Sequence, residues 1–427
     1  MVEPSLNRKV QRLKSYYQLL FPVEQIVQWL SYGNDLEQSC REYSFVTVRN
    51  EFSRYESFTS VKELRNQLIN LSPARIDVGP IWGQRPLWSV KQNTDPLKKE
   101  LVFDIDLTDY DDVRICCQEK NICVKCWKYM VIACKIIHRS LLEDWAFKNI
   151  LWVFSGRRGI HVWVCDPIAL NFEDDERYMI SNFFQVAIIN SFGDSQFKLT
   201  TITSYIERAL SVIDEVFLRF CVVEQDMLGT EERVQKFINL LRCPNIMKGV
   251  KKEFLEHDNS IDRWNAFLEY FYTRLTKGEI PEECRYLVEE IKLQYCYPRI
   301  DGSVTQALNH LLKLPFSVHP ATDKISVPFD PEKIEFFDPT TVPTLRKVLS
   351  EFTTYRNSSS SGQPVQKSEW RPSNPYKTSL KESLNIFDKF LEGLSHERHS
   401  ESREDVNNDV EIKKEEEEEE EEDTFAD

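Results

Sequence analysis

Leu151-Trp152-Val153-Phe154-Ser155-Gly156-Arg157-Arg158-Gly159-Ile160-His161-Val162-Trp163-Val164 is the most informative segment of the chain. Two apolar runs rich in β-formers flank a turn bounded by Gly156 and Gly159, a pattern that predicts strand, turn, strand. Side chains alternate along a strand, so His161 faces away from Ile160, Val162 and Val164. The turn glycines let backbone N–H groups approach an anion, and Ser155, Arg157, Arg158 and His161 offer donors for a triphosphate. The same residues also fit an exposed basic hairpin with a structurally hydrogen-bonded histidine.

Working upstream, Leu101-Val102-Phe103-Asp104-Ile105-Asp106-Leu107 reads as a buried strand in which two aspartates interrupt an apolar run. That placement is costly unless the charges are paired or bind a cation. Alternation puts Asp104 and Asp106 on one face, about 6.5 to 7 Å apart at Cα, a span that can bracket ions roughly 3.5 to 4 Å apart. Hard oxygen ligands suit Mg²⁺ or Mn²⁺. Asp301 is the candidate third ligand, in Tyr297-Pro298-Arg299-Ile300-Asp301-Gly302, where it follows an apolar residue at an expected strand end. Taken alone, Asp-x-Asp is a weak signal that a helix cap or turn explains more readily, and Asp-Gly reads first as an ordinary turn.

Between these motifs lie Cys116, Cys117, Cys123 and Cys126, four of the chain's 11 cysteines. In a reducing compartment that spacing favours tetrahedral Zn²⁺ over disulfides, and four thiolates leave no open position, so the ion would staple a loop. A reducing compartment is itself an expectation. Residues 1–17 carry Lys and Arg but no apolar stretch with a cleavage site, so no secretory signal is read, and no run approaches the roughly 20 apolar residues of a membrane helix.

The net charge of −15 on 427 residues is misleading for phosphate chemistry, because residues 401–427 hold 15 acidic and 3 basic residues. That leaves −12 in the tail and −3 on the other 400 residues, against which a local basic site still presents a positive field. Residues 5–70 read as amphipathic helices outside a sheet, and 75–163 as an α/β core with a helix near Trp127 to Trp145. Residues 172–290 read as a helical insertion, with strand-like residues returning at Leu293-Gln294-Tyr295-Cys296-Tyr297. The expected organisation is a discontinuous catalytic domain (1–171 and 291–355, zinc motif 116–126), the inserted subdomain, a Ser/Asn/Pro-rich linker (356–379), and a short helix with a disordered acidic tail (380–427).

SGRRGIHVW resembles the signature of archaeo-eukaryotic primase small subunits, the catalytic subunits of eukaryotic-type DNA primases. FDID resembles that family's metal motif, and YPRID and NHLLKLPFSVHP (309–320) continue the match in order and spacing over roughly residues 40–330. The resemblance implies an α/β (α+β) fold with a mixed-sheet catalytic core flanked by helices. Asp104, Asp106 and Asp301 would then bind two Mg²⁺ or Mn²⁺ ions. Ser155, Arg157, Arg158, His161, Lys313 and His319 would bind the triphosphate, and Asp77 in RIDVG the sugar. Glu42 in REYSF and Arg54 in SRYESF would lie near the initiating nucleotide, and the four cysteines would hold structural Zn²⁺. The sequence departs at Arg75, where the family suggests Lys, and at Gly302, which replaces a bulkier residue.

The activity so implied is nucleotidyl transfer: a DNA-directed RNA polymerase that makes RNA primers de novo from ribonucleoside triphosphates on a single-stranded DNA template. The implied partners are a large primase subunit in a heterodimer and the DNA polymerase alpha complex, in the nucleus, with no membrane. Two rivals are a repair-type primase-polymerase of the same superfamily and a non-enzymatic zinc-bearing nucleic-acid scaffold. The first usually brings an additional zinc domain, and this C-terminus adds only His396 and His399. The second leaves three carboxylates beside apolar runs unexplained.

Overall fold

The computed structural model describes residues 4–86, 95–186, 188–189, 195–358 and 374–396. Of the expected linker, residues 359–373 lie outside the described residues, and so does the acidic tail from 397 onward. The strands are β1 (Arg41–Val46), β2 (Phe52–Glu56), β3 (Arg75–Trp82), β4 (Pro96–Lys98), β5 (Leu101–Asp106), β6 (Ile150–Phe154), β7 (Gly159–Val164), β8 (Ile188–Ile189), β9 (Ser195–Gln196), β10 (Leu312–Lys313) and β11 (Val327–Pro328). One sheet runs β10-β3-β1-β2 with β4 also on β3, a second runs β11-β6-β7-β5, and β8 pairs β9. All these pairings are antiparallel, and helices cover the sheets, so the chain is α+β.

The hairpin expected at 151–164 forms as β6 and β7. Ser155 N–H donates to the Gly159 carbonyl at 2.9 Å, and Gly159 N–H to Ser155 Oγ at 3.1 Å, closing the turn. β7 then pairs with β5 so that Asp104 lies opposite His161 and Asp106 opposite Gly159. Glycine is required there by space: a Cβ on Gly159 would sit 2.5 Å from the Ile105 carbonyl oxygen.

Two sequence expectations are corrected. Residues 5–70 are not all helical: helices at Pro4–Leu19, Val23–Leu30, Asp35–Cys40 and Val61–Leu71 enclose β1 and β2. The hydrophobic alternation of β1 is masked because Arg41, Glu42 and Ser44 are buried beside Tyr43 and Phe45. Each polar group is paired inside, Arg41 with Glu100 at 2.9 Å, Glu42 with Arg54 at 2.6 Å, and Ser44 Oγ with the Ser53 carbonyl at 2.7 Å. The second correction falls at 293–297, which belongs to the helix Leu287–Cys296 and its C-terminal edge. That helix buries Leu287, Val288, Glu290, Ile291, Leu293, Tyr295 and Cys296, so burial all round erases the 3.6-residue stripe that would have identified it.

Helices fill most of 174–296, and their starts follow capping chemistry: Thr203, Thr230 and Asn259 each accept a backbone N–H of the first turn. Residues 381–396 form a further helix. Leu380, Leu384, Phe387, Leu391 and Leu394, at helical spacing, are all buried. Phe387 packs its ring 5.8 Å from Trp29 and 5.4 Å from Phe316, so this helix closes over the main core. No described helix is long and apolar enough to cross a membrane.

Candidate active site

The two sheets face each other across a cleft of about 210 Å³, lined by Arg75, Asp104, Asp106, Ser155, Arg157, Arg158, His161, His310, Leu311, Leu312, Lys313 and His319. Residues 312–328 build both walls. β10 lays Lys313 opposite Asp77 on the first sheet, and β11 joins β6 on the second. Crossing between them, Lys313 Nζ donates to the Ser155 carbonyl at 2.8 Å.

On one side stand the carboxylates. Asp104 and Asp106 project from β5, each about one-third exposed, while Leu101, Val102, Phe103 and Ile105 are buried. Asp106 Oδ1 accepts Thr108 N–H at 2.9 Å, Thr108 Oγ1 at 2.8 Å and Arg158 Nε at 2.5 Å. Asp301 joins them through its backbone, its N–H donating to the Asp104 carbonyl at 3.0 Å. It does not end a strand as expected; it caps the helix Gly302–Gln306, accepting Ser303 N–H and Oγ. Desolvation, then Asp106 and Asp301, push the Asp104 carboxyl up to about 7 against the pull of Lys313. Asp109, unassigned from sequence, is pushed to about 6 by burial, Asp106 and Asp301. A carboxylate group so poised is stabilised by a cation, and an all-oxygen donor set suits Mg²⁺ or Mn²⁺.

The opposite side is basic. Gly156 adopts φ +92°, and a Cβ there would come within 2.9 Å of His319 Cβ, so glycine admits both the turn and the histidine. Burial, then Lys313 and Arg157, lower the His319 imidazole to about 3. Burial, then Lys313 and Arg75, do the same for His161. Both rings are therefore neutral near pH 7, and the 3.6 Å approach of His161 Nε2 to Asp104 Oδ1 is not an ion pair. Lys313 is lowered to about 8, by burial first and Arg75 second.

Asp77 and Asp301 adjoin the cleft without lining it. Asp77 Oδ1 accepts Arg75 Nε at 2.7 Å, while its buried Oδ2 has no hydrogen-bond partner. Glu42 Oε1 accepts Arg54 Nε, Glu42 Oε2 accepts Trp82 Nε1 at 2.9 Å, and Arg54 Nη2 donates to the Asn309 carbonyl. Arg54 thus touches the segment that carries Lys313 and Glu42 holds Arg54, and both stand outside the cleft. His310 has no role on the sequence reading although it lies within 309–320. Arg75 figures there only as a departure, whereas both residues line the cleft.

The sulfur atoms of Cys116, Cys117, Cys123 and Cys126 all lie within 4.8 Å of one another. Cys123 and Cys126 are 3.9 Å apart, close to the roughly 3.8 Å that tetrahedral Zn–S bonds of about 2.3 Å impose. Cys123 N–H donates to Cys126 Sγ at 3.2 Å, and Gln225 Nε2 donates to Cys116 Sγ at 3.5 Å, so the donor set fits Zn²⁺.

The profile of the DNA primase small subunit family matches residues 103–331. A DNA primase small subunit from Drosophila melanogaster is 35% identical over 405 residues, covering 91% of this chain and 92% of that one. Its counterpart from Schizosaccharomyces pombe is 38% identical over 353 residues, 79% of this chain and 76% of its own. For Saccharomyces cerevisiae the identity is 32% over 354 residues, 79% and 85% of the two chains. With the carboxylates on β5, the cationic turn and the cysteine quartet all falling inside the matched span, this chain belongs to the DNA primase small subunit family.

Proposed function

We propose that this chain is the catalytic subunit of a DNA primase, joining ribonucleoside triphosphates into RNA primers de novo on single-stranded DNA during replication. The observation that carries the reading is the juxtaposition of Asp104, Asp106 and Asp301 with Arg157, Arg158 and Lys313 around one cleft. Held by the three carboxylates, two Mg²⁺ or Mn²⁺ ions would supply a lowered pKa for the attacking 3′-hydroxyl and counter-charge for the departing pyrophosphate.

The chain's own residues then mainly position the substrate. Arg157, Arg158 and Lys313 take the triphosphate oxygens, and Ser155 and the neutral His161 and His319 donate further hydrogen bonds. Preorganised donors of this kind contribute about 3 to 4 kcal/mol each. Arg158, which also holds Asp106, ties phosphate binding to carboxylate orientation. Asp77, whose buried Oδ2 has no hydrogen-bond partner, stands beside the cleft and would serve the nucleotide sugar, which favours ribonucleotides. Glu42 and Arg54 serve the initiating nucleotide, and the four cysteines hold a structural Zn²⁺. The chain works in the nucleus with a large primase subunit and the DNA polymerase alpha complex; of these, the relatives' description as small subunits supports a larger partner subunit.

The test is synthesis on poly(dT) from unprimed ATP or dATP with Mn²⁺. Alkali-labile oligomers from ATP, in clear excess over any dATP product, support the reading. Extension confined to pre-made primers with dATP contradicts it.

A further inference from the structure

Arg299 lies two residues before Asp301 and its side chain does not line the cleft. Its two terminal nitrogens donate to protein groups. The guanidinium binds both oxygens of Asp112, donates to the Asp109 carbonyl, and reaches the Gln294 carbonyl at 3.1 Å. It lies 5.1 Å over the Tyr110 ring, and the Arg299 backbone N–H donates to Tyr110 Oη at 2.9 Å. One residue thus joins the turn after β5, the helix Leu287–Cys296 and the strap that delivers Asp301.

Asp112 belongs to the zinc-bearing loop. Two residues on, the buried Arg114 donates to Asp111, to the Asn121 carbonyl at 2.9 Å and to the Glu119 carbonyl at 3.2 Å, and approaches Cys126 Sγ at 3.9 Å. Gln225 fastens the same loop from the other side, accepting Ile115 N–H at 2.9 Å while donating to Cys116. The cysteine quartet therefore fixes the loop, the loop fixes Asp112, and Asp112 fixes Arg299.

We infer that Arg299 is a positioning residue that clamps the third catalytic carboxylate, Asp301, to the zinc-bearing loop through Asp112, so that the structural metal site sets the geometry of the catalytic one. The inference rests on the two-ion reading above. A role for Arg299 in holding nucleotide phosphate is the alternative, and the two differ in what they perturb.

The test uses the full chain and the substitutions Arg299→Gln, Arg299→Lys, Asp112→Asn and Asp301→Asn, with Mn²⁺ binding followed by electron paramagnetic resonance and KM for ATP at saturating Mn²⁺. Loss of an outer partner of a metal ligand weakens metal binding roughly 10- to 100-fold. Arg299→Gln and Asp112→Asn should each weaken Mn²⁺ binding by at least tenfold, with less than a twofold change in KM. The double variant should be no weaker than either single one, and Arg299→Lys should recover part of the loss. A raised KM with unaltered Mn²⁺ binding in Arg299→Gln overturns the inference, as does an Asp112→Asn chain that binds Mn²⁺ normally. If Arg299→Gln fails to fold, Arg299→Lys and Asp112→Asn decide alone by the same criteria. Asp301→Asn separates the layers: normal Mn²⁺ binding there would remove the two-ion reading, whereas weakened binding there with normal Arg299 and Asp112 variants removes only the clamp.

Discussion

Replacing Gly159 by alanine adds one methyl group between two paired strands. The new Cβ would meet the Ile105 carbonyl oxygen at 2.5 Å, and ordinary contact begins at 3.4 Å, so β5 and β7 must part locally by about 0.9 Å. Gly159 has no positive φ, so backbone strain does not contribute. At a compatible site the substitution would stabilise by about 0.4 to 1 kcal/mol. Here overpacking costs about 1 to 3 kcal/mol instead. The strand that moves carries Asp106 directly opposite residue 159. A misplacement near 1 Å costs on the order of 100-fold in rate. Gly159→Ala should therefore lower dinucleotide formation from ATP on poly(dT) by about that factor, with a modest loss in denaturant stability. Wild-type rate and stability together would refute the argument that β5 to β7 spacing sets the carboxylate position.

Two further outcomes are expected. Glu100, fully buried, is held below the usual carboxylate range: burial opposes this, but Arg41 at 2.9 Å and the Tyr32 hydroxyl at 2.7 Å outweigh it. A depressed folded pKa means that this stabilisation is present above the unfolded value of about 4.3 and lost as pH falls through the folded one. Glu100→Gln should cost about 3 to 5 kcal/mol at neutral pH by leaving Arg41 unpaired and should flatten the acid limb of stability, measured by urea unfolding from pH 3 to 7; an unchanged acid limb counts against it. Treating the chain with a strong chelator should release one zinc equivalent, read with a metallochromic dye, and destabilise the loop around 111–127; Cys126→Ser should be isolated without zinc, and full zinc content in that variant would remove the assignment.

The parts of the site that were legible in the sequence are those where chemistry and periodicity coincide. Asp104 and Asp106 interrupt an otherwise apolar strand, and the glycines at 156 and 159 mark a turn that nothing larger fits, so β5 to β7 could be read from single residues. β1 was hidden because its polar residues are buried and satisfied by partners far along the chain, Arg41 by Glu100 above all. The helix at Leu287–Cys296 was hidden by burial on every side. Asp301 was singled out for its neighbours, yet its cap on the helix Gly302–Gln306 and its backbone bond to Asp104 depend on tertiary packing that no local pattern encodes. Arg299 lies in the YPRID motif, but only the fold brings Asp112 to it.

On the proposed function, Asp104, with Asp106 and Asp301, forms the centre at which nucleotides are joined. The decisive experiment measures dinucleotide formation from ATP on poly(dT) with Mn²⁺ for the full chain carrying Asp104→Asn, alongside its unfolding curve and zinc content. The expected result is no detectable dinucleotide from a chain that is folded and zinc-loaded as before. A folded Asp104→Asn chain that joins nucleotides at the unsubstituted rate would contradict it.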